Sequence, residues 1–344
     1  MDLSILIPSR NEMFLSQTIK NILENIEADT EIVVTLDGNW SDPPILQHER
    51  LNVIYVPEAI GQRAGTNLAA KLAKGKYLMK VDAHCAFDKG FDRKMIEAFK
   101  KVDDNVTMVP VMKNLWAFDW KCYKCGSRWY QGPAPKRCMR QERGVVPNEA
   151  CDETENFKRR ITWQVEAKRG ESAQRNWKSR HSPSSKSYCF DSEPHFQYFG
   201  DYTRREEYLK QVETGFTETM SLQGSCWMLS KEKYAQFAEG RDELGSWGNE
   251  GLEIACKTWL SGGKCLVNHS TWYAHLFRTQ SDFSFPYPQA DVRKTKKRVW
   301  ELFFDKNWKY QIHPVSWLIE KFSPVPGWTE DKLKELKTKE SLNK

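Results

Sequence analysis

Asp82-Ala83-His84 sets a carboxylate and an imidazole two residues apart. At the end of an extended segment both side chains can face one ion, and neutral imidazole with carboxylate suits Mn2+ or another borderline divalent cation. A structural histidine satisfied by its neighbours also fits the triplet. Asp37, followed by Gly38, offers an acid that can accept hydrogen bonds from a nucleoside; Asp-Gly equally favours a plain turn. Arg63 stands between Gly61 and Gly65. An arginine fork grips diphosphate oxygens, and a solvated surface charge is the simpler reading. Cys122, Cys125, Cys138 and Cys151 follow the spacing C-x2-C-x12-C-x12-C. Four thiolates so spaced can close a tetrahedral Zn2+ site. His181 and Cys189 are alternative ligands, and free thiols in a mobile loop are the other reading.

These side chains need strand ends and tight turns to hold them. Apolar runs at Ser4–Pro8, Glu31–Asp37, Val53–Pro57, Tyr77–Asp82 and Thr107–Met112 read as buried strands. Amphipathic stretches at 16–27, 64–74 and 89–101 lie between them, with Ser16 suited to an N-cap and Gly75 to a C-cap. Such alternation predicts an α/β fold, a mostly parallel sheet flanked by helices. Ligands of these sheets bind outside the carboxyl ends of the strands, so Pro8, Asp37 and Asp82 should converge on one crevice. Periodicity fails from Lys113 to about Gly215 and resumes with a strand at Leu222–Ser230. Helices at Lys231–Glu239, Gly248–Leu260 and Asp291–Phe304 and a strand at Lys264–Phe277 complete the pattern. Four segments result: 1–112, a loop-rich insertion at 113–215, 216–310, and a charged tail at 311–344.

Forty per cent of the 344 residues are hydrophobic, enough for a real core. The net charge of +6 is uneven, because residues 121–180 hold 15 Lys/Arg against 7 Asp/Glu. That block suits a polyanionic partner or a merely solvated face. Trp116, Trp120, Trp129, Tyr130, Trp163 and Trp177 are interleaved with it, and such rings can stack on bases. No stretch approaches the roughly 18 apolar residues of a membrane span. Met1-Asp2 leads at once into Leu3–Ile7, too short a run for a targeting segment. The expectation is a cytoplasmic chain with no membrane partner, where a cysteine cluster favours metal over disulfides.

In order along the chain, the motifs resemble those of GT-A glycosyltransferases, and more narrowly of the polypeptide N-acetylgalactosaminyltransferases. Leu3–Glu12, with Asn11-Glu12 after the first strand, is similar to that family's first strand and Asn-Glu pair. Glu31–Asp37 resembles its donor-binding acid strand, and Gly61–Gly65 its Arg-x-Gly turn. Lys80–Cys85 carries its Asp-x-His-Cys motif. Trp247–Glu253 is similar to Trp-Gly-Gly-Glu-Asn-Leu-Glu, and His275–Arg278 to His-x-Phe-Arg. The likeness covers roughly residues 1–112 and 218–305. It implies a GT-A, Rossmann-like nucleotide-diphospho-sugar transferase fold. It also implies a metal-dependent enzyme that moves a sugar from a UDP-sugar to a hydroxyl, with retention. Asp82, His84 and His275 would hold Mn2+. Asp37 and Arg63 would hold the nucleoside and diphosphate, with Pro8 and Tyr287 also at the donor. Trp247 and Arg278 would lie over the donor, and Glu250 would hydrogen-bond the transferred sugar. Gly224 would let that sugar approach the backbone. The resemblance thus assigns catalysis to Glu250, Arg278 and Trp247, nucleotide-sugar binding to 1–112, and acceptor and donor-sugar contacts to 216–310. Asn249 stands where the family has Gly, and Gly251 where it has Asn, which leaves the sugar open.

The insertion lies outside the likeness. A GT-A core with a basic, zinc-bearing insertion and no secretion signal is expected to glycosylate a 5-hydroxymethylated pyrimidine in DNA, as some bacteriophage enzymes do, on an extruded base. A Ser/Thr hydroxyl of a polypeptide is the alternative acceptor, which the likeness favours, and a glycan hydroxyl is third. Non-catalytic nucleic-acid binding on a transferase core and nucleotidyl transfer are the competing classes.

Overall fold

The computed structural model describes residues 1–130, 134–138, 151–165, 186–277, 286–305 and 308–342. Its first part runs β1 (Leu3–Ser9), α1 (Leu15–Asn25), β2 (Thr30–Asp37), β3 (Leu51–Val56), α2 (Gln62–Leu72), β4 (Tyr77–Val81), β5 (Cys85–Phe87), α3 (Phe91–Phe99) and β6 (Val106–Cys122). Next come β7 (Arg128–Tyr130), β8 (Phe157–Val165), β9 (Tyr188–Phe190), β10 (Phe196–Tyr198), α4 (Glu206–Glu213), β11 (Phe216–Glu218) and β12 (Cys226–Ser230). The chain continues with α5 (Lys231–Ala238), α6 (Glu250–Leu260), β13 (Lys264–His275), α7 (Gln289–Phe304), α8 (Val315–Lys321) and α9 (Glu330–Leu342). The chain divides into two compact units, Met1–Met112 with Ser184–Tyr273 and Tyr287–Lys344, and Lys113–Pro183 with Ala274–Pro286.

In the first unit, β1, β2 and β4 are almost wholly buried. Apolar runs without alternation form strands covered on both faces. Strands β3, β2, β1 and β4 lie side by side in parallel, with Ile5 opposite both Ile32 and Met79. Beyond them β12 pairs antiparallel with β4, placing Met228 opposite Met79. The sheet is therefore mixed, with those four strands parallel. β3 is its edge: Val53 and Tyr55 are exposed, and Trp40 stacks on Tyr55 with centroids 4.5 Å apart.

Two helix ends differ from the expected caps. α1 starts at Leu15, because the Phe14 N–H donates to the Glu12 carboxylate at 3.0 Å, one step before Ser16 could act. Gly75 lies beyond the end of α2 at Leu72. A Cβ there would sit 2.4 Å from the Ser4 nitrogen, so close approach to β1 requires this glycine. α6 is buried along all eleven of its residues, which places it inside the core rather than over it.

Two stretches without clear periodicity also pack into this unit. Cys189 and Phe190 of β9 belong to its core. The tail is structured as well: Val315, Leu318, Ile319 and Phe322 from α8 and its end are buried there, with Leu336 of α9. Charge hides this in the sequence, because only Leu336 and Glu340 of α9 are buried.

In the second unit, the far half of β6 pairs antiparallel with β8, setting Asp119 opposite Arg160, and with β7, setting Trp120 opposite Trp129. Residues 113–122 are thus strand where the apolar pattern breaks. Arg160 forks onto Asp119 at 3.1 and 2.7 Å.

Phe322→Ala should cost about 3–5 kcal/mol of stability in urea unfolding, the range for emptying a buried aromatic site. A frayed, solvated tail would instead leave the unfolding midpoint unchanged.

Candidate active site

β4 delivers Asp82 to a rim where its N–H donates to the Ser225 carbonyl at 2.8 Å. Its two carboxylate oxygens do different work. Oδ1 accepts from Lys80 Nζ at 2.5 Å and from Gln62 Nε2 at 3.3 Å. Oδ2 lies 3.9 Å from His84 Nε2. The other ring nitrogen of His84, Nδ1, is 2.8 Å from Glu12 Oε2. With the Nδ1 proton donated to Glu12, the lone pair is on Nε2, the orienting arrangement found behind metal-binding imidazoles. His275 is the last residue of β13, two residues beyond Tyr273, whose hydroxyl is 2.9 Å from Ser225 Oγ. Asp82, His84 and His275 each offer a ligand atom, and these atoms lie within 4.8 Å of one another. One carboxylate oxygen and two imidazole nitrogens suit a borderline divalent cation, so the donor set fits the implied metal.

Behind Asp82 runs a buried chain of charges. Lys80 also reaches Glu250 Oε2 at 2.8 Å and the Gly224 carbonyl at 2.7 Å. Burial alone would lower the Lys80 pKa, but the Asp82 and Glu250 carboxylates outweigh it and hold the ammonium above its ordinary value. Arg241 bridges Glu250 and Glu253, and its Nε is 3.0 Å from Glu253 Oε1. Glu253 also accepts from Arg63 Nε at 2.7 Å and from Lys257 Nζ at 3.0 Å. Burial would raise the Glu253 pKa, yet Lys257, Arg241 and Arg63 together hold it far below the carboxylate range.

The remaining described residues singled out from the sequence lie in the first unit. Arg63 is fully buried and also donates to the Gly248 and Gly245 carbonyls at 2.6 and 3.4 Å. Its guanidinium thereby holds the 245–250 loop. Asp37 accepts from the Ile60 and Gly61 N–H groups at 2.6 and 3.0 Å, and so fixes the turn into α2. Gly61 (φ 92°) is needed there, since a Cβ would meet Ser246 Cα at 2.7 Å. Pro8 sits opposite Thr35 in the parallel register, near the carboxyl end of β1. Trp247 lies parallel to Tyr287, with centroids 6.1 Å apart and planes at 10°, and the Arg10 guanidinium is 5.1 Å over Tyr287. Burial, followed by the charge of Asp37, pushes the Tyr287 phenol well above its ordinary pKa and keeps it a neutral donor. Both Glu250 oxygens engage cations, Oε1 with Arg241 and Oε2 with Lys80. Arg278 lies outside the described residues, as does His181.

Backbone demands account for the two departures in the Trp247–Glu253 stretch. Asn249 has φ 54°, a left-handed conformation that asparagine tolerates. A Cβ on Gly251 would lie 2.0 Å from the Leu222 carbonyl oxygen. Gly224 packs on the same helix start, since its Cβ would sit 3.1 Å from the Gly251 nitrogen. These positions report close packing of α6 on the 222–224 turn. The sequence reading missed Glu12, Lys80 and Arg241 as site residues. A lysine inside the apolar run Tyr77–Val81 was the available signal, because buried lysines need partners.

Removing the Glu253 carboxylate takes a shared partner from three buried cations, so Glu253→Gln should cost about 3–5 kcal/mol at pH 7 by urea unfolding. The folded pKa is depressed, so this contribution is full above the unfolded value of about 4.3 and fades as pH falls below it. The gap between wild type and variant should therefore narrow in acid; a constant gap from pH 7 to pH 2 would contradict it.

Residues 4–153 match the pattern of Glycosyl transferase family 2. A putative polypeptide N-acetylgalactosaminyltransferase 13 of Drosophila melanogaster is 21% identical over 308 residues, covering 84% of this chain and 44% of the fly protein. Polypeptide N-acetylgalactosaminyltransferase 3 of Homo sapiens is 26% identical over 101 residues, 29% of this chain and 16% of the human protein. The chain thus spans less than half the length of these relatives. The crystal structure of GalNAc-T7 with UDP, GalNAc and Mn2+ superposes with a TM-score of 0.58 at 16% identity, over 99% of this chain and 55% of that one. The chain has the GT-A glycosyltransferase fold, and among glycosyltransferases it resembles the polypeptide N-acetylgalactosaminyltransferases.

Proposed function

We propose that this chain is a metal-dependent glycosyltransferase that moves a sugar from a UDP-sugar to a Ser or Thr hydroxyl of a polypeptide, with retention. The observation that carries the reading is the ligand set of Asp82, His84 and His275, with Glu12 orienting His84. The family pattern over residues 4–153 and the relatives named polypeptide N-acetylgalactosaminyltransferases support it. The crystallised GalNAc-T7, with its UDP, GalNAc and Mn2+, supports the choice of nucleotide and metal.

A bound divalent cation supplies positive charge where the departing nucleoside diphosphate gains negative charge. The chain's own residues prepare that place. Glu12 holds His84 in one tautomer, and Lys80 holds Asp82 Oδ1, leaving Oδ2 toward His84. Lys80 and Arg241 fix the Glu250 carboxylate between them, so it is set in place before any sugar arrives. Trp247 and Tyr287 offer an aromatic wall and a neutral phenol donor for the donor sugar or base. Asp37 acts through the turn it clamps, at the entrance to α2.

The polypeptide acceptor replaces the hydroxymethylated DNA favoured from the basic insertion. In the second unit Arg160 is paired with Asp119, Lys124 with Asp152, and Arg159 lies over Phe118 and Trp120. Trp129 is buried against Phe157. Among the described residues these cations and this ring are engaged with protein. Among the described residues no helix is long and apolar enough to cross a membrane.

With Mn2+ and a panel of UDP-sugars, Ser/Thr peptides should gain one sugar by mass spectrometry while hydroxymethylated DNA does not; transfer to DNA alone would overturn the acceptor. Asp82→Ala and His275→Ala should each lower turnover by at least about 100-fold, the scale of losing a key electrostatic group. Glu12→Gln should weaken Mn2+ binding about 10- to 100-fold, read by calorimetry, with the fold intact by circular dichroism.

A further inference from the structure

The second unit carries a side-chain cluster that the transfer reaction does not use. Cys122 ends β6, and Cys125 follows in the turn that leads to β7. Cys138 and Cys151 come from farther along the chain, and all four sulfur atoms lie within 4.8 Å of one another. The Cys122 and Cys151 sulfurs are 3.7 Å apart, and those of Cys125 and Cys138 are 3.5 Å apart. A tetrahedron of thiolates with Zn–S bonds of about 2.3 Å has edges of about 3.8 Å. These separations match such an edge and are far longer than a disulfide bond of about 2.05 Å. None of the four forms a disulfide.

The backbone is shaped to present them. The Cys122 N–H donates to the Ser127 carbonyl at 2.9 Å, and the Gly126 N–H to the Cys122 carbonyl at 3.0 Å. Gly126 has φ 71° with open space around its missing Cβ, so conformation alone selects glycine there. The Cys138 N–H donates to the Glu153 carbonyl at 2.8 Å, drawing the Cys138 and Cys151 segments together. Cys122, Cys138 and Cys151 are buried with Trp129, and Trp120, Cys125 and Phe157 pack around them. Small apolar clusters of this kind are commonly completed by a metal or by disulfides.

We propose that Cys122, Cys125, Cys138 and Cys151 bind one structural Zn2+ that folds the second unit. A closed set of four protein ligands leaves no open position for substrate, so this ion is distinct in role from the one assigned to Asp82, His84 and His275. Cys189, a candidate ligand from the sequence alone, is excluded because it is buried in β9 among the core of the first unit.

The full chain, purified without chelator and then dialysed against dilute EDTA to strip the oxygen- and nitrogen-ligated site, is measured for metal by mass spectrometry under native and denaturing conditions. The expected result is one zinc per chain, lost in Cys138→Ser and kept in His84→Ala. Replacing zinc by Co2+ in the wild-type chain should give thiolate-to-cobalt charge-transfer absorption and the visible bands of a tetrahedral site. This readout stands even if the serine variant fails to fold. One zinc that follows His84 rather than Cys138 would overturn the proposal. So would iron in its place, two disulfides, or four alkylatable thiols with no metal in the folded wild-type chain.

Discussion

The buried carboxylate of Glu253 holds the candidate site together. Arg63 from α2, Arg241 from the turn after α5 and Lys257 from the next turn of α6 all converge on it. Three cations around one anion would be unstable in a dry interior. Arg241 also engages Glu250, and Glu250 and Asp82 share Lys80, so the excess charge passes outward through alternating partners. The rim of the sheet, where Asp82 and His84 emerge, is the outer end of that series. At that rim Lys80 keeps Asp82 in register from below.

The loop before α6 obeys the same constraint. Arg63 fixes the Gly245 and Gly248 carbonyls, and Gly251 packs its bare α-carbon against the Leu222 carbonyl. Trp247 is therefore mounted on a loop held at both ends, which is how an aromatic wall keeps its orientation against Tyr287.

Local patterns in the sequence were legible, and long-range partners were not. The Asp82-x-His84 spacing, the buried parallel strands and the four-cysteine spacing each lie within short windows, and each reappears in the structure as a strand end, β1, β2 and β4, or a sulfur cluster. Glu12 is separated from His84 by 72 residues and Arg63 from Glu253 by 190, so no spacing rule joins them. A lone arginine beside glycines looks the same whether it faces phosphate or a buried glutamate. β6 was cut short at Met112 because its outer half, Lys113–Cys122, mixes polar residues into the strand. The tail misled for a related reason: α9 is charged nearly all round, and α8 ahead of it supplies the apolar contacts.

The central proposal is that Asp82, His84 and His275 form a metal-dependent seat for a nucleoside diphosphate. Isothermal titration of UDP into the full chain, with Mn2+ and again with EDTA, tests it most directly. The account predicts saturable one-site binding with Mn2+ that is lost with EDTA and restored when Mn2+ is added back. UDP binding of equal affinity in both conditions would contradict it.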